Sequence, residues 1–248
     1  MARPASGARQ IDAHRETWES KPALRALYSD YYRRLLRHHR PGRILEIGGG
    51  SGHLRAHLTD VVLTDIQPAP WVDAAADAQS LPFADASFET IVMVDVLHHI
   101  EFPARFFQEA ARVLKPGGRL LMLDPAITPI SHLVLHLTHP EPVDMGADPL
   151  ASGTPDPARD PFDANQAVPT ILFSRAAGRR RFAATHPGLI IRHVSRLSLF
   201  AYPLSGGFRS WSLIPPFLVP AALALEAALL PLLGWLMAFR LLVVIEKR

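Results

Sequence analysis

The sequence predicts an α/β fold with a doubly wound parallel sheet. Between residues 43 and 124, short runs rich in Val, Ile and Leu alternate with longer amphipathic runs, and a glycine cluster sits where the first strand gives way to helix. Such alternation implies βαβ units, and hence a parallel sheet.

The elements follow in order. Residues 10–40 read as helix, because Trp18, Leu24, Leu27, Tyr28, Tyr31, Leu35 and Leu36 recur at three- and four-residue steps among Arg and Glu. Pro41-Gly42 ends it. Ile44-Leu45-Glu46-Ile47 is the first strand, followed by glycines and a helix near 53–58. Val61-Val62-Leu63-Thr64 and Thr90-Ile91-Val92-Met93-Val94 are further strands. Residues 103–114 read as a helix that turns Phe106, Phe107, Ala110, Ala111, Val113 and Leu114 inward. Pro116-Gly117-Gly118 then leads into a strand over 119–123. Strands are expected again at Leu189-Ile190-Ile191, at 196–202 and at 241–245. Between them, residues 125–180 carry prolines at 125, 129, 140, 142, 149, 155, 157, 161 and 169. That excursion is too long for an ordinary connection and reads as a functional loop region or lid.

A chain of 248 residues suits one α/β domain with elaborations. With 48% hydrophobic and 20% charged residues, disorder and fibrous architectures are excluded. The absence of cysteine excludes disulfides, thiolate-held metals and a thiol nucleophile. Lys plus Arg exceeds Asp plus Glu by only three (26 against 23), which is weak evidence for a polyanion, so a nucleic-acid partner is not expected. No apolar core of a secretory signal occurs in the first fifteen residues, so a cytoplasmic location is expected.

Glu46-Ile47-Gly48-Gly49-Gly50-Ser51-Gly52 closes a strand and opens a helix, where glycines let the backbone approach a ligand closely. A dinucleotide fingerprint needs glycine at its first, third and sixth positions, but the sixth position counted from Gly48 is His53. The spacing is instead Glu-x-Gly-x-Gly-x-Gly, which resembles the first motif of class I S-adenosylmethionine-dependent methyltransferases. Three more segments resemble that family in the expected order: Asp77-Ala78-Gln79-Ser80-Leu81-Pro82-Phe83, the strand-four segment with Val94-Asp95-Val96-Leu97-His98-His99, and Arg112-Val113-Leu114-Lys115-Pro116-Gly117-Gly118. The likeness is to the quinone-biosynthesis type and covers residues 40–125, about a third of the chain.

The resemblance implies a seven-stranded, Rossmann-like sheet whose last strand, 241–245, is antiparallel, with S-adenosylmethionine as cofactor. Its cofactor-binding positions are Glu46, Gly48, Gly50, Gly52, Asp65, Ile66, Asp77, Ala78 and Asp95. Asp65, ending the second strand, would accept the ribose hydroxyls, and Asp77 would meet the adenine amino group. The expected organisation is a helical cap (1–42), a cofactor-binding core (43–124), an acceptor-side cover (125–188) and C-terminal strands carrying an apolar insertion at 204–239 (189–248), all in one domain. Trp18, Lys21 and Tyr28 fall where this family folds an N-terminal helix over the cofactor, with core packing as the plainer reading.

Methyl transfer from a sulfonium is an in-line displacement, so positioning dominates and a base serves only acceptors that carry a tightly held proton. His98, His99 and Asp124, at the ends of the fourth and fifth strands, are the catalytic candidates. No metal is expected: His132 and His136 share a helix face, but Leu133-Val134-Leu135 separates them with no Glu-x-x-His signature, and His139 follows three residues on. Asp144, Asp148, Asp156, Asp160 and Asp163 read as turn residues, and Arg175, Arg179, Arg180 and Arg181 as a solvated helix end. The acceptor is expected to be small and lipophilic, methylated at O or C; the alternatives are an RNA methyltransferase that uses Arg175, Arg179, Arg180 and Arg181 on phosphates, and a non-catalytic cofactor-binding or interaction protein of the same fold.

Residues 213–239 are the most apolar stretch, and Glu226 divides it into two uncharged runs of thirteen residues, both interrupted by proline. A membrane span needs about twenty apolar residues, so a span is disfavoured. Burial against the core, a homodimer contact and a peripheral membrane contact flanked by Arg209, Arg240, Lys247 and Arg248 are the readings left open.

Overall fold

The computed structural model describes residues 5–50 and 52–248; residues 1–4 and Ser51 of the glycine turn lie outside the described residues. Its strands are β1 (Ile44–Ile47), β2 (Val61–Asp65), β3 (Ala74–Ala75), β4 (Phe88–Val94), β5 (Leu114–Pro125), β6 (Leu189–Leu197) and β7 (Arg240–Lys247). They form one sheet in the order β3-β2-β1-β4-β5-β7-β6. The first five run parallel, while β7 lies antiparallel between β5 and β6. The seven-stranded, doubly wound sheet and its antiparallel terminal strand are as the sequence led one to expect.

Period-two alternation shows why this sheet is covered on both faces. Ile91 and Met93 of β4, Leu120 and Met122 of β5, and Leu241, Val243 and Ile245 of β7 enter one core, with Phe106, Phe107, Phe173 and Phe182 from the helices above it. The residues between them, Val92, Leu121, Leu123, Leu242 and Val244, enter the opposite core against Leu24, Tyr28, Tyr31 and Leu35. A strand buried on both faces must be apolar at every position, which is how the central strands read. Each of these fully buried side chains contributes about 1.5–3 kcal/mol of transfer free energy.

The helices are α1 (Ala5–Ser20), α2 (Pro22–Leu36), α3 (Pro103–Val113), α4 (Pro129–Thr138), α5 (Val168–Phe173), α6 (Ala176–Thr185), α7 (Ala201–Ser205) and α8 (Val219–Met237). The single helix expected over 10–40 is therefore two. Lys21 leaves helical geometry at φ −120°, ψ 85°, as a residue before proline tends to, and Pro22 starts α2. The helix expected near 53–58 is only a 3-10 turn, His53–Ala56, because the chain must reach β2 at Val61. The strand expected over 196–202 does not exist as such. Instead β6 runs unbroken to Leu197, with a register shift between Ile191 and His193, after which Ser198 turns at φ 60° and α7 begins.

Helix α8 explains the lone charge of the apolar segment. Glu226 is buried, and its Oε1 accepts hydrogen bonds from the backbone N–H groups of Leu199, Phe200 and Ala201 at 2.8, 2.6 and 2.6 Å. The carboxylate thus fastens α8 to the turn after β6, and Val219 and Gly234 are buried beside it. Most of the rest faces outward: Phe217, Leu225, Leu232 and Trp235 are 78, 53, 70 and 63% exposed. Residues 216–237, with mean hydropathy 2.0, are long and apolar enough to cross a membrane, and the protein buries only 17% of their most apolar window. Burial of this segment in the chain's own core is therefore not what the structure shows.

Candidate functional site

A cavity of about 590 Å³ opens at the carboxyl ends of β1, β2 and β4. Its floor is the glycine turn. Gly48, Gly50 and Gly52 adopt φ of 66°, 42° and 78°, and a Cβ at Gly48 would stand 2.3 Å from Val96 Cγ2, so only glycine fits there. The Gly50 N–H donates to Asp65 Oδ2 at 2.8 Å, and Asp65 Oδ1 accepts from the Gln67 N–H at 2.8 Å. Asp65 therefore holds the turn as well as facing the cavity. Burial pushes its carboxyl above the ordinary range, against the pull of those backbone hydrogen bonds. Glu46 is raised further, by burial and then by Asp65, and its Oε2 is buried without a partner. These two carboxyls leave the cavity floor short of positive charge.

Asp77 lies in the wall, where its Oδ1 accepts from the Gln79 N–H at 2.8 Å; Gln79 Oε1 in turn accepts from the Phe102 N–H at 2.9 Å. Ile66, 49% exposed, also lines the cavity. Asp95 adopts φ 59° at the end of β4, accepts from Tyr28 Oη–H at 2.7 Å and forms an ion pair with the buried Arg240. The Arg240 guanidinium lies 4.2 Å from the Tyr202 ring centroid. Arg240 is thus committed inside the protein and is not one of the outward cations flanking α8.

His98 is buried, with Nδ1 2.8 Å from Asp124 Oδ1 and Nε2 3.5 Å from Glu141 Oε2. Burial alone would lower its pKa, but the hydrogen bonds to the two carboxylates outweigh that and raise it to about 9. His98 is thus an imidazolium at neutral pH. Burial and the neighbouring His98 charge bring His99 down to about 4, leaving it neutral. Glu141 is held at about 2, because its bond to His98 overrides burial.

The cover comes from both ends of the chain. Trp18 stacks on His53 with centroids 3.5 Å apart, and Lys21 Nζ donates to the carbonyls of Gly207 and Arg209 at 2.6 and 2.7 Å. Helix α4 and the loop after it supply Val134, Leu135, Thr138, His139 and Glu141 to the wall. His132 and His136 are exposed and do not line it. Asp144, Asp148, Asp156 and Asp160 each accept the backbone N–H two residues on, as turn carboxylates do.

Of the residues singled out from sequence, Glu46, Gly48, Gly50, Asp65, Ile66, Asp77, Asp95, His98 and His99 meet around this one cavity. Three stand behind its wall. Gly52 shapes the turn, Ala78 packs in the core, and Asp124 reaches the cavity only through His98. Sequence reasoning missed Glu141, Gln166 and the pairing of Asp95 with Arg240. The partners in each case are separated by long stretches of chain and follow no spacing rule.

Residues 45–122 match the methyltransferase domain family. A 27-O-demethylrifamycin SV methyltransferase of Amycolatopsis mediterranei is 34% identical over 108 residues, 35% of this chain and 40% of that protein. A ubiquinone/menaquinone biosynthesis C-methyltransferase of Teredinibacter turnerae is 38% identical over 109 residues, covering 34% and 44% of the two chains. The chain thus spans less than half the length of these curated relatives. Among solved structures, a Thermotoga maritima methyltransferase described as a possible histamine N-methyltransferase superposes with TM-score 0.57 at 17% identity, covering 97% of this chain and 98% of that one. The geranyl diphosphate C-methyltransferase of Streptomyces coelicolor, solved with S-adenosyl-L-homocysteine, gives 0.51 at 14% identity over 90% and 80%. At such identities the likeness is one of fold.

Proposed function

We propose that this chain, which carries a class I methyltransferase domain over residues 45–122, transfers methyl from S-adenosylmethionine to an oxygen or carbon of a small lipophilic acceptor. The observation that carries the reading is the cavity floor: a glycine turn with room for a ligand beside Gly50, bounded by the buried carboxyls of Glu46 and Asp65. S-Adenosylmethionine fits that donor set, since it carries two cationic centres and a ribose diol. The cofactor supplies an electrophilic methyl on sulfur. That methyl would pass to an acceptor already ionised at its oxygen or carbon, its proton having left to solvent before the site closes, while the electron pair of the broken carbon–sulfur bond stays on sulfur.

The chain's own residues position the partners. Asp65 takes the ribose hydroxyls, Asp77 the adenine edge, and Gly48 and Gly50 let the backbone come close. The wall formed by α4, the loop after it and residues 202–211 excludes water from the acceptor end. With no ion bound, His98 is a cation held between Asp124 and Glu141 and a hydrogen-bond donor, so it is not a base. The quinone and rifamycin methyltransferases among the relatives make a lipophilic acceptor the natural choice.

The acceptor enters from a lipid surface. Helix α4 packs beside α8, and its Leu133 and Leu137, 59 and 72% exposed, extend the apolar face of Leu225, Leu232 and Trp235. The same helix lines the cavity with Val134 and Leu135. A cytoplasmic protein resting on the membrane through α8 would therefore offer the cavity mouth to lipid-dissolved molecules.

Isothermal titration with S-adenosylhomocysteine tests the cofactor reading: one site is expected, and no heat from folded protein overturns it. Binding without transfer of labelled methyl to any lipophilic extract would leave a binding protein. Flotation with anionic vesicles tests the surface, and a protein that stays at the bottom, or dimerises through α8 instead, refutes the lipid contact.

A further inference from the structure

We propose that His98, His99 and Glu141 form a divalent-metal site in the cavity wall, with Asp124 as the carboxylate that orients His98. Their ligand atoms all lie within 4.8 Å of one another. In a tetrahedral shell with bonds of about 2.0–2.1 Å, neighbouring ligands stand about 3.4 Å apart. His98 Nε2 and Glu141 Oε2, at 3.5 Å, already have that spacing, and an ion entering between them would displace the Nε2 proton of His98 to solvent. The His99 ligand atom lies within 4.8 Å of the other two, at most about 1.4 Å beyond that spacing.

The supporting contacts are those a metal ligand needs. The remaining ring nitrogen of His98, Nδ1, is 2.8 Å from Asp124 Oδ1, the carboxylate–histidine pairing that fixes the tautomer and aims the other nitrogen at an ion. The ring of His99 is hydrogen-bonded to the backbone of Asp163, while its Nδ1 is buried with no partner. A buried nitrogen left unpaired is destabilising, and an ion would supply its missing partner. Glu141 Oε2 accepts from Gln166 Nε2 at 2.9 Å, which holds the third ligand in place. The backbone between the imidazoles is also tied down: the His98 carbonyl accepts from the Asn165 N–H at 2.8 Å and the His99 carbonyl from Arg159 Nη1 at 2.7 Å.

Two imidazoles and one carboxylate select zinc, manganese, iron or cobalt over magnesium or calcium. Three protein ligands leave positions open toward the cavity, where an acceptor oxygen would bind the ion. That use rests on the proposed function; metal binding itself does not, so the cofactor titration and the metal titration can fail independently.

The test uses full-length protein without a polyhistidine tag, stripped with a chelator and titrated with Co²⁺ alone, read by its visible absorption, and with Zn²⁺ alone, read by calorimetry. One tight ion per chain is expected. Glu141→Gln and His99→Ala should each weaken it at least tenfold, and Asp124→Asn by 10–100-fold, as loss of an orienting carboxylate does. His132→Ala and His136→Ala, on the exposed face of α4, should leave it unchanged. The proposal is overturned by the absence of a saturable site, by an affinity indifferent to Glu141→Gln and His99→Ala, or by a site lost with His132 and His136. Circular dichroism separates a lost site from a lost fold, and His99→Gln, which keeps a polar group there, replaces His99→Ala if the latter unfolds.

Discussion

Replacing Asp65 by asparagine should separate cofactor affinity from stability. Asp65 Oδ1 and Oδ2 each accept a backbone N–H at 2.8 Å, from Gln67 and Gly50. Asparagine keeps its oxygen on Gln67, as an Asx turn requires, and brings an NH₂ against the Gly50 N–H. Donor then faces donor, the glycine turn shifts, and the ribose diol loses its carboxylate. Loss of a buried charged acceptor costs about 2–3 kcal/mol, or about 30–150-fold in the dissociation constant of S-adenosylhomocysteine. Stability should move far less. Burial raises the folded pKa of Asp65, so its ionised form lowers stability at neutral pH, and removing the charge returns part of what the lost hydrogen bond takes. A residual of about 1 kcal/mol corresponds to about 2–4 °C in melting temperature for a chain of this size. Calorimetric titration paired with a melting curve reads both quantities. An unchanged dissociation constant in a variant that melts within a few degrees of the parent would place the ribose contact elsewhere.

Gly48→Ala meets Val96 Cγ2 at 2.3 Å and a φ of 66°, so it should lose S-adenosylhomocysteine binding at least tenfold; wild-type affinity would show that the turn does not touch the ligand. Arg240→Met strips the Asp95 carboxylate of its cation in a largely buried setting and should destabilise by about 3 kcal/mol, seen as a lower denaturation midpoint, with Asp95→Asn in the same chain recovering part of it. The folded pKa of His98 is raised from 6.5 to about 9, so its stabilisation is complete below pH 6.5 and is lost as pH rises through about 9. Melting temperature in chelator should fall across that window in the parent and stay flatter in His98→Gln. Glu226→Ala orphans three backbone donors and should cost about 3 kcal/mol by denaturant titration; a loss below about 1 kcal/mol would mean that apolar packing alone holds α8.

What sequence could reveal tracks the range of the interaction involved. The strands flanking the glycine turn, and Asp65 at the end of β2, are local: apolar periodicity and positive-φ glycines write them directly into the chain. The split at Lys21 was legible from Pro22 but is masked by the unbroken apolar stripe of 18–36. The helix lost after the glycine turn is a matter of length, since few residues separate Gly52 from Val61. β6 deceived because the charged and polar run Arg192-His193 breaks its alternation at a bulge. Glu141 sits between two prolines in an irregular stretch, and only the fold carries it to His98. Arg240 reads as an outward cation until β7 is seen to place it beside Asp95.

The join between β6 and β7 has an evolutionary consequence. Leu197 pairs with Arg240, and the Phe239 N–H donates to the Ser198 carbonyl at 2.8 Å, so residues 198 and 239 are clasped at the rim of the sheet. Everything between them, including α7 and α8, is inserted at that clasp and held down by α2 and by the Lys21 hydrogen bonds to Gly207 and Arg209. The entropy of closing such a loop grows only logarithmically, about 0.6 kcal/mol for each doubling of its length. Length and sequence in this stretch can therefore be rewritten at small cost to the sheet, provided that groups equivalent to Glu226 and to the carbonyls that take Lys21 still fasten the new cover, and that its apolar contacts with α2 are kept. On the proposed function, the part of the cavity that takes the cofactor and the part that takes the acceptor would then be placed under separate selection. A lineage could exchange the molecules it accepts by trading one module while the glycine turn and Asp65 stay fixed.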